Sequence, residues 1–404
     1  MFVKPGLYIS ISLTLILLGC SALPKQFFAG VDNLPKQMIN RQILVTLPES
    51  NKSDWLPIRE QLARQHDILL TGEFPLTSIN VDCLVYRVPE QESLASVVQR
   101  LKADKRVQLV QENLIFESLQ NSDSAAYTEL SYAPKLIHAD HAHQLSTGKG
   151  VRLAVIDTGA ERHHPDLEGQ HLETENFVDG SDYSFSHDRH GTAVTGVIAA
   201  RENDGIGING IAPEARVSVL KACWYPEQDQ AKAQCSSWSL AKALDAAIND
   251  NVQIINLSLA GPDDDLLRKL LESAHYKGIN VVASTLENKA EPGFPAILPF
   301  AVPVISSGPD GRIVKPSWFS DFPNVVAAPG VEILTTVPND GYDFVSGSSL
   351  AAAHVSGVIA LLLEKKPDLS PEQIKTLLLQ NGQKSRSPTA QTLDAWSILQ
   401  SVDR

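Results

Sequence analysis

The chain has 404 residues, a formal net charge of −13, 43% apolar residues and 20% charged residues. A chain of this length indicates roughly two or three folded units, and its apolar content is sufficient for a sizeable core. The acidic balance argues against a nucleic-acid partner, because phosphate binding requires concentrated lysine and arginine.

The N-terminal stretch MFVKPGLYISISLTLILLGC has one cation, followed by apolar and hydroxyl residues at 7–18. This segment is too short for a membrane span and has the proportions of a secretory signal. The ending LLGC resembles the lipobox of bacterial lipoproteins, in which the cysteine, here Cys20, is lipidated. That resemblance implies a lipoprotein signal peptide at 1–19 and an exported cell-envelope protein. Ser21 favours the outer membrane, facing the periplasm or the surface. An ordinary signal peptide that contains a cysteine is the alternative.

Residues 20–41 are a polar linker, and residues 42–117 alternate between strand and helix patterns. Strands are predicted in QILVTL, DILLTGEF, DCLVYRV and VQLVQENLIFES, and helices in DWLPIREQLARQH and SLASVVQRLKAD. This βαββαβ order is the ferredoxin-like arrangement of a small α+β domain. Residues 118–131 are polar and small, as is typical of an exposed linker that can be cut.

A second pattern begins at about residue 148. The continuously apolar strands VRLAVID, RVSVLKA, VQIINLSLA and INVVAS alternate with the helices SWSLAKALDAAINDN and DLLRKLLESAHYKG. This predicts a doubly wound α/β domain with a mostly parallel sheet over residues 132–404. Its ligand site is expected at the carboxyl ends of the strands. The later segment AAAHVSGVIALLL is too short for a second membrane span.

Three cysteines follow Cys20. An exported protein folds in an oxidising compartment, so a Cys223–Cys235 disulfide is predicted across CWYPEQDQAKAQC. Cys83 has no evident partner and is expected to be a buried strand residue.

Three short motifs bring reactive side chains to the ends of regular elements. Asp157 ends the strand RLAVID, His190 begins a helix in HGTAVTGVIAA, and Ser349 begins the apolar helix in SGSSLAAAHVSG. Separately, a turn-capping aspartate, a surface histidine and a close-packed helix of small residues would explain them. Together and in this order, they predict a nucleophilic serine whose proton is accepted by a histidine.

These motifs resemble those of the subtilases, the subtilisin-like serine peptidases, over residues from about 132 to 404. The resemblance implies that Asp157, His190 and Ser349 are the catalytic triad. It also implies that residues 42–117 are an inhibitory propeptide. The segment NLSLAG resembles the edge on which subtilases bind an extended peptide, with substrate-binding residues Ser258, Leu259, Ala260 and Gly261.

The segment VVASTLENKAEPGFP departs most clearly from the family pattern. Subtilases stabilise the oxyanion with an asparagine side chain, and without a gap Glu287 occupies the asparagine's place. A shift of one residue aligns Asn288 instead, and Asn288 is therefore the predicted oxyanion donor. The alternatives are an oxyanion donor supplied by another residue and a degenerate site. Loss of this donor costs on the order of 10²–10³ in rate.

The resemblance implies a lipid-anchored serine endopeptidase that is made as a zymogen and cuts protein or peptide substrates. No cofactor is expected to be required. Asn203 and Asp204 offer oxygen ligands for structural calcium, but an Asn-Asp-Gly tract is also a routine turn, so no metal site is predicted. The alternatives are a catalytically impaired subtilase-fold protein that binds extended peptides, and an enzyme for non-peptide esters.

Overall fold

A computed structural model of the chain describes residues 41–48, 54–118, 131–178, 185, 188–202, 207–226, 232–322, 324–382 and 390–403. These residues form an N-terminal unit, defined here as residues 41–118, and a larger α/β domain from residue 131 onward. The predicted signal peptide, the predicted lipidation site Cys20 and most of both predicted linkers lie outside the described residues.

The N-terminal unit contains an antiparallel sheet and two helices. Its elements are β1 (Gln42–Pro48), α1 (Trp55–His66), β2 (Leu69–Leu76), β3 (Val81–Arg87), α2 (Leu94–Lys102) and β4 (Leu109–Glu112). The strand order is β2-β3-β1-β4, which is the ferredoxin-like arrangement. Side chains alternate along β3. Leu84 and Tyr86 pack with the unit's own helices, whereas Cys83 and Val85 pack into a core shared with the α/β domain.

The predicted strand VQLVQENLIFES is two strands in the structure. β4 ends at Glu112, and β5 (Ile115–Ser118) belongs to a different sheet. The break is held by hydrogen bonds to both units. The side-chain amide of Asn113 donates to Gln42 Oε1 at 2.8 Å, and the N–H of Leu114 donates to Ser237 Oγ at 2.9 Å. The prediction of one continuous strand is therefore wrong, because these contacts redirect the chain.

The remaining elements belong to the α/β domain. They are α3 (Tyr132–Leu136), α4 (Ala139–Ala142), β6 (Arg152–Asp157), β7 (Leu172–Asn176), α5 (Arg189–Ala199), β8 (Arg216–Lys221), β9 (Cys223–Trp224), β10 (Gln234–Ser236), α6 (Ser237–Asn249), β11 (Ile254–Leu257), β12 (Leu259–Ala260), α7 (Asp265–Tyr276), β13 (Asn280–Ser284), β14 (Val302–Ser307), β15 (Val325–Pro329), β16 (Ile333–Val337), β17 (Gly341–Val345), α8 (Ser348–Lys365), α9 (Pro371–Gln380), β18 (Ala390–Thr392) and α10 (Ala395–Ser401).

The main sheet has eight parallel strands in the order β18-β15-β14-β13-β11-β6-β8-β7. Both of its faces are covered. On β6, Val155 packs into a core with α5 and α8, while Ala154 and Ile156 pack into a core with α6 and α7. This explains the unbroken apolar run of the strand and confirms the predicted doubly wound α/β fold.

Helix α8 is the one described helix whose length and composition would allow a membrane span. It has 18 residues and is longer than the apolar segment predicted from the sequence. However, 89% of that stretch is buried inside the domain, and its side chains form much of one core. The helix is therefore accounted for by packing within the domain.

A disulfide closes the β9–β10 hairpin. Cys223 and Cys235 are paired across the two strands, and their sulfur atoms are bonded at 2.05 Å, as the sequence predicted. Cys83 is a free and fully buried residue of β3, also as predicted.

Candidate active site

The side chains of Asp157 and His190 meet at the carboxyl end of the main sheet. Asp157 is the last residue of β6, and His190 is the second residue of α5. Nδ1 of His190 lies 2.7 Å and 2.9 Å from the two carboxylate oxygens of Asp157. This pair, called the dyad below, is buried. Nε2 of His190 is buried without a hydrogen-bond partner among the described residues, so it is available to accept a proton.

Ser349 is held at the start of α8 by the neighbouring strand end. Its hydroxyl donates to the backbone carbonyl of Ser258 at 3.2 Å, and the hydroxyl of Ser258 donates to the carbonyl of Ser349 at 3.0 Å. Asn256, on β11, donates to Ser258 Oγ at 2.9 Å. Because β11 is the neighbour of β6, Ser349 is tied to the same end of the sheet as the dyad.

The predicted peptide-binding edge pairs with a segment of the chain itself. β5 lies between β12 and β10 in an antiparallel sheet whose order is β12-β5-β10-β9. Leu259 is opposite Ser118, and Ala260 is opposite Glu117. On the other side of β5, Cys235 is opposite Phe116. The end of the N-terminal unit therefore occupies the edge as an added strand.

The side chain of Phe116 fills the space beside this edge. It is fully buried, and its ring centroid lies 6.1 Å from that of Phe294. A Cβ at Gly261 would come within 2.3 Å of the ring of Phe116, so glycine is required for this approach. Gly261 and Phe294 also exchange two backbone hydrogen bonds, at 2.9 and 3.1 Å, which fix this wall.

Comparison with known proteins identifies the family. The sequence profile of the Subtilase family matches residues 148–395, a span that contains the dyad and Ser349. The chain belongs to the subtilase family. This confirms the resemblance inferred from the three motifs.

Two relatives of this subtilase carry informative names. It is 31% identical over 281 residues to the thermophilic serine proteinase of Bacillus sp. (strain AK1). The aligned region covers 69% of this chain and 68% of the relative. It is 32% identical over 241 residues to thermitase of Thermoactinomyces vulgaris, with 58% and 83% covered. The match to a named serine proteinase confirms the predicted enzyme class.

A solved structure shares the fold of this subtilase. Fervidolysin from Fervidobacterium pennivorans, described as a keratinolytic enzyme related to subtilisin, superimposes with a TM-score of 0.71 at 23% sequence identity. The match covers 89% of this chain and 61% of the fervidolysin chain. At this level of identity the likeness concerns the fold alone.

The loop after β13 differs from the family pattern in the structure as well. Glu287 accepts a hydrogen bond from the N–H of Ser306 on β14 at 2.6 Å, and burial raises the pKa of the Glu287 carboxyl. Asn288 is exposed in the following turn and makes no hydrogen bond with the described residues. The role of Asn288 as oxyanion donor stays a prediction.

Within the described part of this subtilase, no group of three or more histidine, cysteine, aspartate or glutamate side chains could hold a metal ion. Asn203 and Asp204 lie outside that part. Among the described residues, the carboxylate of Asp166 accepts hydrogen bonds from the N–H of Ile208 and the hydroxyl of Tyr342, both at 2.8 Å. The expectation that no metal is required also stays a prediction.

Several residues that brace the dyad were not identified from the sequence. Lys221 donates to the carbonyl of Thr158 at 2.6 Å and forms a buried ion pair with Asp188, which immediately precedes α5. The hydroxyl of Tyr225 accepts a hydrogen bond from the N–H of His190 at 2.9 Å. A lysine at the end of the apolar strand VSVLK was the one available signal. Nothing in the sequence pointed to Tyr225.

Proposed function

We propose that this subtilase is an exported serine endopeptidase that hydrolyses peptide bonds through an acyl-enzyme and is made as a zymogen. The observation that carries the proposal is the buried dyad at the sheet end where Ser349 is anchored, in which Nε2 of His190 has no hydrogen-bond partner among the described residues. A serine hydroxyl is a poor nucleophile, so it needs such a base.

In the proposed mechanism, His190 takes the proton of Ser349 as the hydroxyl oxygen attacks the peptide carbonyl. It then donates that proton to the leaving amine. Asp157 holds the Nδ1–H tautomer of His190 and stabilises the imidazolium that forms. Water then hydrolyses the ester on Ser349 with the same base. The substrate lies as an added strand along Ser258–Gly261, because backbone pairing to an edge binds many sequences.

The N-terminal unit acts as an inhibitory propeptide in this proposal. Its strand β5 occupies the substrate edge and runs toward Ser258, whose carbonyl accepts the hydrogen bond from Ser349. Further contacts hold the unit on α6. The Asp245 carboxylate accepts from the N–H of Ser78 at 2.7 Å, and Asn113 accepts from the N–H of Trp238 at 3.1 Å. We expect the activating cut shortly after β5, within the predicted 118–131 linker.

Export and lipid anchoring form a separate part of the proposal. The LLGC ending supports lipidation of Cys20, and the Cys223–Cys235 disulfide supports an oxidising compartment. We propose an outer-membrane lipoprotein that faces the periplasm or the surface. Metabolic labelling with a radioactive fatty acid tests this. The wild type should be labelled and a Cys20→Ala variant should not, whereas label in both would remove the anchor from the proposal.

A second candidate is a subtilase-fold protein that binds extended peptides and cleaves them slowly or not at all. It is favoured by Glu287, which takes the place expected for the oxyanion asparagine, and by the exposed position of Asn288. Hydrolysis of non-peptide esters is a further alternative, because the same nucleophile could perform it. Comparison of peptide and ester substrates separates these cases.

The deciding experiment follows the size and N-terminal sequence of the full chain over time. Wild type is compared with Ser349→Ala and with the matched control Ser348→Ala, whose hydroxyl donates to the Thr285 carbonyl at 2.8 Å. The proposal predicts that wild type and the Ser348 variant lose the N-terminal unit, while the Ser349 variant stays intact. If all three stay intact and a fluorophosphonate probe does not label Ser349, the binding protein is the better description.

A further inference from the structure

We infer that Tyr225 is a positioning residue for His190 and that it couples a peptide bound along β10 to the dyad. The inference rests on the proposed function, and it concerns a residue outside the three motifs. The hydroxyl of Tyr225 accepts a hydrogen bond from the backbone N–H of His190 at 2.9 Å.

This hydrogen bond fills a specific gap at the start of α5. His190 is the second residue of the helix, and the first N–H groups of a helix have no partner within it. The site is buried, so an unpaired N–H would be costly there. Burial also raises the pKa of the Tyr225 phenol, which therefore stays protonated. The phenol thus fixes the backbone that carries the dyad histidine.

The peptide groove is the space between β12 and β10 that β5 occupies. The hairpin of β9 and β10, which the disulfide closes, forms one side of this groove. Tyr225 comes two residues after Cys223, which is joined by the disulfide to Cys235. Cys235 lies on β10 opposite Phe116, and Gln234 is paired with Trp224 across the hairpin. One side of the hairpin therefore binds the added strand, and the other side reaches His190.

A strand bound along β10 is expected to influence the position of His190 through this hairpin. In this proposal, a strand paired along β10 restrains β10 and its partner β9, and this restraint holds the Tyr225 hydroxyl against the His190 N–H. A substrate long enough to reach β10 therefore positions the base, whereas a single-residue ester does not. Tyr225 touches neither substrate nor the reacting atoms in this scheme, since it acts through His190.

The kinetic test compares an extended peptide anilide with a single-residue thioester on matured protein. Tyr225→Phe is expected to lower kcat for the extended peptide roughly 10-fold, with KM little changed, because it leaves a buried N–H unpaired. The kcat for the thioester should fall much less. The control is Tyr132→Phe, which removes a hydroxyl bonded to the Val331 carbonyl at 2.6 Å. Equal losses for both substrates, or no loss, would overturn the coupling.

A second measurement does not depend on activity. In the full chain carrying Ser349→Ala, hydrogen exchange of the His190 amide is followed by NMR. Tyr225→Phe should speed this exchange about 3- to 10-fold. Phe116→Ala, which loosens β5, should speed it when Tyr225 is present and have little effect in the Tyr225→Phe background.

The two measurements separate this inference from the proposed function. If wild type hydrolyses neither substrate but the exchange pattern is as expected, the proposed function fails and the coupling stands. If the enzyme is active but Phe116→Ala changes His190 exchange equally with and without Tyr225, the coupling is wrong and the function stands.

Discussion

The contact most open to a quantitative test is the side chain of Phe116 in the groove. It is fully buried, and it packs against Phe294 and Gly261 in the α/β domain. Replacement of a buried phenylalanine by alanine typically costs about 3–5 kcal/mol. If that loss falls on the docking of β5, the fraction of chains with an open groove should rise by about 10²- to 4 × 10³-fold, at about 1.4 kcal/mol per tenfold.

The assay is the rate at which a fluorophosphonate probe labels Ser349 in the full-length chain, which a gel separates from processed protein. Phe116→Ala should label far faster than wild type, because the probe needs an open groove. The matched control is Phe74→Ala. Phe74 is partly buried on β2, and its ring lies 6.0 Å from that of Trp238 at the same interface but away from the groove. We expect this control to change the rate less than about tenfold.

Two results would refute the reasoning. The Phe116 variant could label no faster than wild type, which would mean that β5 does not block access to Ser349. Alternatively, the Phe74 and Phe116 variants could label equally fast. The blockade would then depend on docking of the whole unit and not on the strand in the groove.

Three further predictions concern other parts of the molecule. Burial, together with the Glu73 carboxylate, raises the pKa of Asp82 from 3.8 to about 7. The contribution of neutral Asp82 to the stability of the folded protein is therefore fully present below about pH 4, and it is lost as the pH rises from about 4 through 7. Asp82→Asn should therefore flatten the fall in melting temperature between about pH 4 and pH 7, and parallel curves would count against this. Replacement of both Cys223 and Cys235 by serine should lower the free energy of unfolding by about 3 kcal/mol, from the 12-residue separation, as measured by urea denaturation; an unchanged midpoint would argue otherwise. Asn288→Ala should lower kcat on the order of 10²–10³ if this side chain is the oxyanion donor, and an unchanged kcat would place the donor elsewhere.

The sequence predicted the centre of the α/β domain well because burial on both faces leaves a clear pattern. β6, β8 and β13 each match a predicted strand to within about one residue. The predicted strand VQIINLSLA instead divides at Ser258 into β11, in the main sheet, and β12, in the sheet that contains β5. β14 and β15 were not predicted: Pro303 interrupts the run VPVISS, and Pro329 ends the run VVAAP after four apolar residues. The dyad residues were identified because they end or begin elements whose order is informative.

Long-range partners explain what could not be predicted. Tyr225 gains its role from the N–H of His190, 35 positions earlier, and neither residue's neighbours in the sequence indicate the other. Glu287 was aligned with an oxyanion donor, but its hydrogen bond is to Ser306 on β14. The direction of that carboxyl depends on β14, a strand that was not predicted from the sequence.

The run VQLVQENLIFES shows why the break matters for function. Read as one strand, it would end the N-terminal sheet and leave the peptide edge empty. In the structure, Asn113 bonds Gln42 of its own unit and the N–H of Trp238 at the start of α6. The residues after it are therefore directed into the groove, where Phe116 is buried. Replacement of Asn113 should therefore affect two properties differently. The N-terminal unit should still fold, because its core lies elsewhere, but β5 should no longer block the groove.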